Sequence, residues 1–308
     1  MEELICYYNG QYMKESEVKI GLWDTGFTEG GVYDVSRTYN HVPLLWKEHI
    51  DRLFRSARSI HLDMGLSPEE VYDIYLEVFK RNEKLLDPED DFWIVHRVTP
   101  GAMPTYGARP SRPTVIINCV YLGPRYETIA RLYREGVNLM VASTRVIPPQ
   151  CLDPKIKHTN RLCNDSADFE VKLVDPKAWA LMLDINGRVA EGPRYNCFMV
   201  RDGKLLTPHS SYVLSGVTRN TLLRLAKELG IDSSETDLYV YDFYTADEIF
   251  VTATSFTIYP VFRFNERELP KPIPGPITQQ LLSAFSKLVG FDIIQRVTSY
   301  VQARAEGR

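Results

Sequence analysis

The sequence predicts an α+β fold in two domains, and three observations carry that reading. The chain has 308 residues, enough for two cores at about 100–200 residues per domain. Apolar stripes of helical period and runs of strand period occur side by side in its first part. After residue 122 the pattern changes to many short strands joined by tight turns. Gly123-Pro124 opens a short polar stretch that runs to Arg134. The boundaries therefore fall at 1–122 for a small N-terminal domain, 123–134 for an interdomain loop and 135–308 for a larger C-terminal domain.

Asn9-Gly10 between Cys6-Tyr7-Tyr8 and Gln11-Tyr12-Met13 is a hairpin signal. Val32 to Tyr39 reads as a strand with Tyr33, Val35, Arg37 and Tyr39 on one face, and Asn40-His41 turns it into Val42 to Trp46. Ile50, Leu53, Phe54, Ala57 and Ile60 form one helical stripe, with Arg52 on its far side, where periodicity alone places it in water. Ser67-Pro68-Glu69-Glu70 is a capping box with proline at the first helical position, and Val71, Ile74, Val78 and Phe79 follow as the buried stripe. Phe92 to Thr99 and Thr114 to Leu122 are strand-like, separated by a loop rich in proline and glycine.

Beyond the boundary, Val137 to Ser143 is a strand. Asn186-Gly187 and Asp202-Gly203 mark two hairpins, the first joining Ala178–Leu183 to Arg188–Ala190 and the second Cys197–Val200 to Lys204–Thr207. A helix from Thr218 carries Leu222, Leu225, Ala226 and Leu229 and stops at Gly230. Strands at Glu248 to Thr254 and Tyr259 to Phe264 precede a last clear helix after Pro276.

Bulk composition narrows the function classes. Hydrophobic residues are 44% and charged residues 25% of the chain, ordinary for a globular protein. A net charge of −4 argues against binding nucleic acid through phosphate neutralisation. There is no apolar run of about 18 residues, so no membrane span is expected, and Met1-Glu2-Glu3-Leu4-Ile5 lacks the pattern of a signal peptide. The five cysteines form no C-x-x-C pair and read as reduced thiols. The six histidines show no metal-ligand spacing, so no metal site is expected. A cytoplasmic protein is the expectation.

The stretch Lys155-Ile156-Lys157-His158-Thr159-Asn160 concentrates positive charge with Arg161. Taken alone it reads as a solvated basic loop. A lysine performs covalent chemistry on an aldehyde when desolvation or a nearby cation frees its amine. A pyridoxal phosphate site needs such a lysine, a carboxylate against the pyridine nitrogen, and backbone N–H groups, hydroxyls and an arginine for the phosphate. Glu191-Gly192 ends a predicted hairpin strand. Gly216-Val217-Thr218-Arg219 opens a helix. Thr252-Ala253-Thr254-Ser255 supplies hydroxyls at a strand end. Each has a plain structural reading, as a rim glutamate, a helix cap and a turn.

Together these residues resemble the class IV (fold-type IV) pyridoxal-phosphate aminotransferases, a family that includes branched-chain, D-amino acid and (R)-selective amine transaminases and aminodeoxychorismate lyases. The likeness runs over nearly the whole chain. Trp23-Asp24-Thr25-Gly26-Phe27 with Val32-Tyr33-Asp34-Val35, then Glu48-His49-Ile50-Asp51-Arg52-Leu53, then Glu191-Gly192 with Asn196-Cys197-Phe198, Leu206-Thr207 and Leu214 to Arg219 are similar to its signature blocks. The resemblance implies a C-terminal pseudo-barrel of strands with flanking helices. It makes Lys157 the Schiff-base lysine and Glu191 the partner of the pyridine nitrogen. Leu214 would lie on the ring face, and Arg52, Val217, Thr218, Thr254 and Ser255 around the phosphate. It reassigns Arg52, which periodicity leaves in water. It also implies a homodimer, with Tyr33 near the substrate of a neighbouring site. The implied reaction is ping-pong transamination between an amine or amino acid and a 2-keto acid.

Four positions depart from the pattern. Pro193 and Arg194 stand where relatives have small residues, and Arg194 is a candidate for the phosphate or a substrate carboxylate. Arg161 replaces a tyrosine that meets the cofactor's ring hydroxyl in branched-chain enzymes. Pro100 in Val98-Thr99-Pro100-Gly101 replaces the arginine of the V-T-R-G motif of D-amino acid transaminases, which weakens a D-amino acid role. Trp93 and Arg97, on the strand Phe92 to Thr99, are further substrate candidates. The stretch Thr144 to Lys155 looks most like (R)-amine transaminases, so the expected donor leans to (R)-amines, with branched-chain or other aliphatic amino acids as the alternative. The lyase branch and a fold relative without cofactor stay open.

Overall fold

The computed structural model describes residues 3–110 and 112–306. Its contacts divide the chain into two compact units, 1–124 with 156–160, and 125–155 with 161–308. Two of the expected boundaries differ. Residues 123–134 are not a loop, because Gly123–Arg125 form a 3-10 turn that leads straight into the helix Tyr126–Glu135. The segment bearing Lys157 belongs by its contacts to the first unit rather than to the C-terminal domain.

The first unit comprises β1 (Ile5–Tyr8), β2 (Gln11–Lys14), β3 (Val32–Tyr39), β4 (Val42–Leu44), α1 (Trp46–Ser59), α2 (Pro68–Asn82), β5 (Phe92–Thr99) and β6 (Thr114–Tyr121). The strands form one antiparallel sheet in the order β2-β1-β6-β5-β3-β4. Asn9 and Gly10 turn the first hairpin with φ of 46° and 94°, the left-handed pair that such a turn requires. Ser67 caps α2 by accepting from Glu70 N–H while the Glu70 carboxylate accepts from Ser67 N–H. Strand alternation sends Asp34, Ser36 and Thr38 into the core and leaves Tyr33 and Val35 on the other, more open face.

A stack runs from the half-buried Trp46 to the buried Tyr75 and His96, with ring centroids 5.2 and 5.4 Å apart and planes within 10°. Neither nitrogen of His96 makes a well-formed hydrogen bond, and burial, its main cause, pushes the imidazole pKa down to about 4. The folded pKa therefore lies below the unfolded one, so the unfolded chain binds a proton that the fold refuses. His96 supports the fold at neutral pH, and that support drains away as the pH falls from about 6.5 to about 4, a total of about 3 kcal/mol. His96→Phe keeps the stack and removes the titration. Denaturant unfolding at pH 7 and pH 4.5 should then show the gap between the two stabilities shrinking by about 2 kcal/mol. An unchanged gap would exclude His96 as the acid-sensitive group.

The second unit comprises α3 (Tyr126–Glu135), β7 (Val137–Val141), α4 (Leu162–Val174), β8 (Ala178–Leu181), β9 (Asn196–Arg201), β10 (Lys204–Pro208), α5 (Val217–Glu228), β11 (Ser233–Thr236), α6 (Val240–Tyr244), β12 (Glu248–Ala253), β13 (Thr257–Phe264), β14 (Arg267–Glu268), α7 (Pro276–Val289) and α8 (Ile293–Ala305). Its strands run β11-β10-β9-β12-β13-β7-β8, with β14 added on β13. The pairs β10–β11, β7–β8 and β7–β13 are parallel. Parallel neighbours need a crossover, and α5 and α4 supply it for the first two. Sequence periodicity passed over α3, α4, α6 and α8. For α3 the signal was present, since Tyr126, Ile129, Leu132 and Tyr133 fall on one helical face and are buried, but the Gly123-Pro124 breaker masked it. No helix of the described residues is long and apolar enough to cross a membrane.

Candidate active site

Lys157 lies in a short extended segment added to the edge of β3. Tyr33 N–H donates to the Lys157 carbonyl at 3.0 Å, Val32 and His158 form an antiparallel bridge, and Gly31 and Thr159 exchange hydrogen bonds. Beyond the reach of β4, which pairs only with residues 37–39, this segment takes the open edge. Gly31 is required there, because a Cβ on it would lie 2.1 Å from the Val98 carbonyl oxygen. The Lys157 amide donates to Ser56 Oγ at 3.1 Å, and Lys157 Nζ sits over the Tyr33 ring at 4.5 Å from its centroid. A basic, solvated loop is thus the wrong picture. The lysine is fixed at its backbone on both sides and laid against an aromatic face.

Beside it, α1 buries a polar face that apolar periodicity does not reveal. His49, Arg52 and Ser56 follow at i, i+3 and i+7 and are all buried. Arg52 Nε donates to Asp34 Oδ2 and Nη2 to Asp34 Oδ1, both at 2.8 Å, and His49 Nδ1 meets Oδ1 at 2.7 Å. Burial pushes the Asp34 carboxyl up, but Arg52 and His49 outweigh it and hold it well below the usual carboxylate range. Burial lowers the His49 pKa against the pull of Asp34.

In the second unit, Glu191 follows the Asn186-Gly187 turn and is held by its main chain, with Met182 N–H donating to the Glu191 carbonyl at 3.0 Å. Its Oε2 accepts from Asn196 Nδ2 at 2.9 Å and from Leu214 N–H at 3.1 Å, and Asn196 Nδ2 also reaches the Leu214 carbonyl. One asparagine therefore locks the carboxylate and the Leu214 backbone together. Gly192 has no room for a Cβ, which would fall 2.0 Å from the Tyr195 ring, and Tyr195 is tied by its hydroxyl to the Ala180 carbonyl.

The N-terminus of α5 begins at Val217, after Gly216, whose own side makes no cap. Gly216 cannot carry a Cβ, which would lie 2.1 Å from Asn196 Oδ1. Val217 and Thr218 are the first two helical residues, where backbone N–H groups lack intrahelical acceptors. Thr254 and Ser255 are half-buried in the turn between β12 and β13.

The remaining candidates divide. Tyr33, Trp93 and Arg97 lie on one face of the first unit's sheet, and Tyr33 and Arg97 are direct cross-strand partners. Arg97 Nη1 donates to Asn118 Oδ1 at 2.7 Å. The Arg194 guanidinium lies against α4, with Nη2 on Asp165 at 2.5 Å and Nη1 on Asp168 at 2.8 Å. Arg161 occupies the N-cap position of α4. Sequence reasoning assigned no role to Asp34, His49, Ser56 and Asn196. The first three are visible only as a polar stripe on an otherwise apolar helix and a charge on the buried side of its strand.

Each unit carries part of the chemistry that pyridoxal phosphate requires. The first holds an anchored amine and a buried guanidinium; the second holds a carboxylate fixed by two N–H donors and an uncapped helix start at a glycine with no space for a side chain.

Comparison with known proteins gives the same direction. The family model for class IV amino-transferases matches residues 31–264. A Methanocaldococcus jannaschii protein, provisionally assigned as a branched-chain-amino-acid aminotransferase, is 34% identical over 287 residues, covering 92% of this chain and 95% of its own. The D-alanine aminotransferase of Bacillus licheniformis is 28% identical over 287 residues, covering 92% and 96%. Among solved structures, the branched-chain aminotransferase of Thermoproteus uzoniensis with norvaline superposes with a TM-score of 0.84 at 27% identity, over 96% of this chain and 98% of that one. The protein thus belongs to the class IV aminotransferases and is a pyridoxal-phosphate-dependent transaminase of fold type IV.

Proposed function

We propose that this transaminase takes its amino group from branched-chain or other aliphatic L-amino acids and passes it to a 2-keto acid. The named relatives support this alternative over the (R)-amine donor suggested by residues 144–155, since they are branched-chain and D-alanine aminotransferases. The observation that carries the choice is the open face of the first unit's sheet. Tyr33, Val35, Trp93, Val95, Ile116 and Val120 make it largely apolar, which suits an aliphatic side chain. Arg97 on the same face is the proposed partner of a substrate carboxylate. Pro100 in place of the arginine of the V-T-R-G motif counts against the D-alanine reading.

The roles follow from chemistry. Pyridoxal phosphate supplies an aldehyde for the amine and a ring that takes up the electrons of a broken Cα–H bond. Lys157 would hold it through Nζ and, with the substrate amine bound, would take the proton from the substrate α-carbon as general base. Glu191 would keep a proton on the pyridine nitrogen. Arg52, the N–H groups at Val217 and Thr218, and the hydroxyls of Thr254 and Ser255 would bind the phosphate, and Leu214 would pack on the ring. The same residues would serve the return half-reaction, in which a 2-keto acid accepts the amine in ping-pong order.

A homodimer fits the same reading. Leu162, Phe169 and Leu173 lie at i, i+7 and i+11 on α4 and are 75%, 72% and 87% exposed, with Val174 beside them at 73%. An apolar stripe of this kind marks an interaction face, and a second copy is the proposed occupant. A single-chain mass in sedimentation would overturn that.

The donor test holds 2-oxoglutarate or pyruvate as acceptor and offers L-leucine, D-alanine and both enantiomers of 1-phenylethylamine. L-Leucine should turn over at least about tenfold faster than either the D-amino acid or the amines, a difference of about 1.4 kcal/mol in the barrier. Preference for (R)-1-phenylethylamine would restore the (R)-amine reading, and preference for D-alanine would replace both.

A further inference from the structure

We propose that Asp34 is a positioning residue for the phosphate of the cofactor, acting through Arg52. The inference rests on the reading above, in which Arg52 binds that phosphate.

Asp34 sits on the core side of β3 with no exposed surface, one residue from Tyr33, whose ring lies under Lys157 Nζ. Its two oxygens collect four bonds. Arg52 Nε reaches Oδ2, while Arg52 Nη2, His49 Nδ1 and the Val35 amide reach Oδ1, all at 2.7–2.8 Å. A fork engaged on two nitrogens fixes the plane of the guanidinium as well as its position. The same helix fixes the lysine. Ser56, one turn beyond Arg52 on the buried face, accepts the Lys157 amide. The amine and the phosphate anchor are therefore registered against one helix, and Asp34 locks the anchor. An arginine that merely needed a counter-ion could find one at the surface. A buried bidentate clamp with a histidine as third member orients the group.

Two opposed effects must be weighed. Asp34 is an anion, so its removal by itself would ease the approach of a phosphate. Hydrogen bonds are directional, however, and Asp34→Asn presents an N–H group where Arg52 or His49 donates. One donor then faces another, and the guanidinium must leave its place. Asp34→Glu keeps the charge and displaces the fork by one methylene, separating geometry from charge.

The test compares the affinities of the purified apoprotein for pyridoxal 5'-phosphate and for pyridoxal, which lacks the phosphate, by quenching of protein fluorescence. Thermal melts first establish that each variant is folded. Both Asp34→Asn and Asp34→Glu should lower the preference for the phosphorylated form by about tenfold, with pyridoxal binding unchanged. If Asp34→Asn does not fold, Asp34→Glu decides. Arg52→Ala separates the two levels. Should it leave the preference intact, the phosphate role of Arg52 itself fails. Should Arg52→Ala abolish the preference while both Asp34 variants keep or raise it, the positioning role is overturned. An equal loss for both ligands would mean a general structural role and would overturn it too.

Discussion

Lys157→Ala should abolish transamination, lowering kcat by at least about 10⁴-fold, with the visible absorbance band of the bound cofactor lost as well. Two functions depend on the one nitrogen. In the proposed mechanism Lys157 holds the cofactor covalently, and as general base it moves the α-proton, a role worth about 10²–10⁴ by itself. The fold should survive, because the segment is held through main-chain groups. Tyr33 N–H bonds to the Lys157 carbonyl, the Lys157 amide to Ser56, and Thr159 to Gly31, and none of these involves the lysine side chain. The side chain contributes mainly its cation over the Tyr33 ring, worth about 0.5–1 kcal/mol in an exposed setting. Thermal stability should therefore stay near that of the native apoprotein while turnover vanishes. Lys155→Ala serves as the control. That lysine is half-exposed and paired with Asp153 at 3.3 Å, and its loss should leave both the band and kcat unchanged. Retention of turnover in Lys157→Ala, or its loss in Lys155→Ala, would move the chemistry to another residue.

The two lysines also show how far the sequence could be read. Local pattern gives the hexamer as a basic loop, because a charge run carries no mark of what it will touch. What places Lys157 is pairing with Gly31, Val32 and Tyr33, more than 120 residues away in the chain, and non-local pairing leaves no trace in periodicity. Arg52 failed for a related reason. A helix burying two faces shows only the apolar one as a stripe, and a buried arginine is legible only once its carboxylate on β3 is known. The hairpins were legible at Asn9-Gly10 and Asp202-Gly203, where both residues of each pair have positive φ, since turn geometry is a property of the dipeptide itself; at Asn186-Gly187 the chain turns through a longer loop closed by the Leu183–Val189 bridge. The capping box of α2 was legible for the same reason. The ion pairs of Arg194 were not legible either, because α4, which the periodicity passed over, is what brings Asp165 and Asp168 onto it.

Glu191→Gln should leave cofactor affinity within about threefold of the native value and lower kcat by about 10²–10³-fold. The substitution is nearly isosteric, and the geometry shows what it can keep. Glu191 Oε2 accepts from Asn196 Nδ2 and Leu214 N–H, and a glutamine carbonyl placed there accepts the same two bonds. The position of the side chain at 191 and of the Leu214 backbone is thereby preserved. What disappears is the negative charge, and with it the stabilisation that the proposed mechanism gives to a proton on the pyridine nitrogen as electrons enter the ring. An interaction that matters most when charge develops lowers kcat without a matching change in binding. Asn196→Leu should reproduce part of the defect by a different route, because the carboxylate keeps its charge and loses its lock. A single-turnover assay with L-leucine alone isolates the first half-reaction, where the loss should appear in full. If Glu191→Gln instead releases the cofactor and leaves the rate of the bound fraction unaltered, the carboxylate is an anchor, and the electronic role proposed for it is wrong.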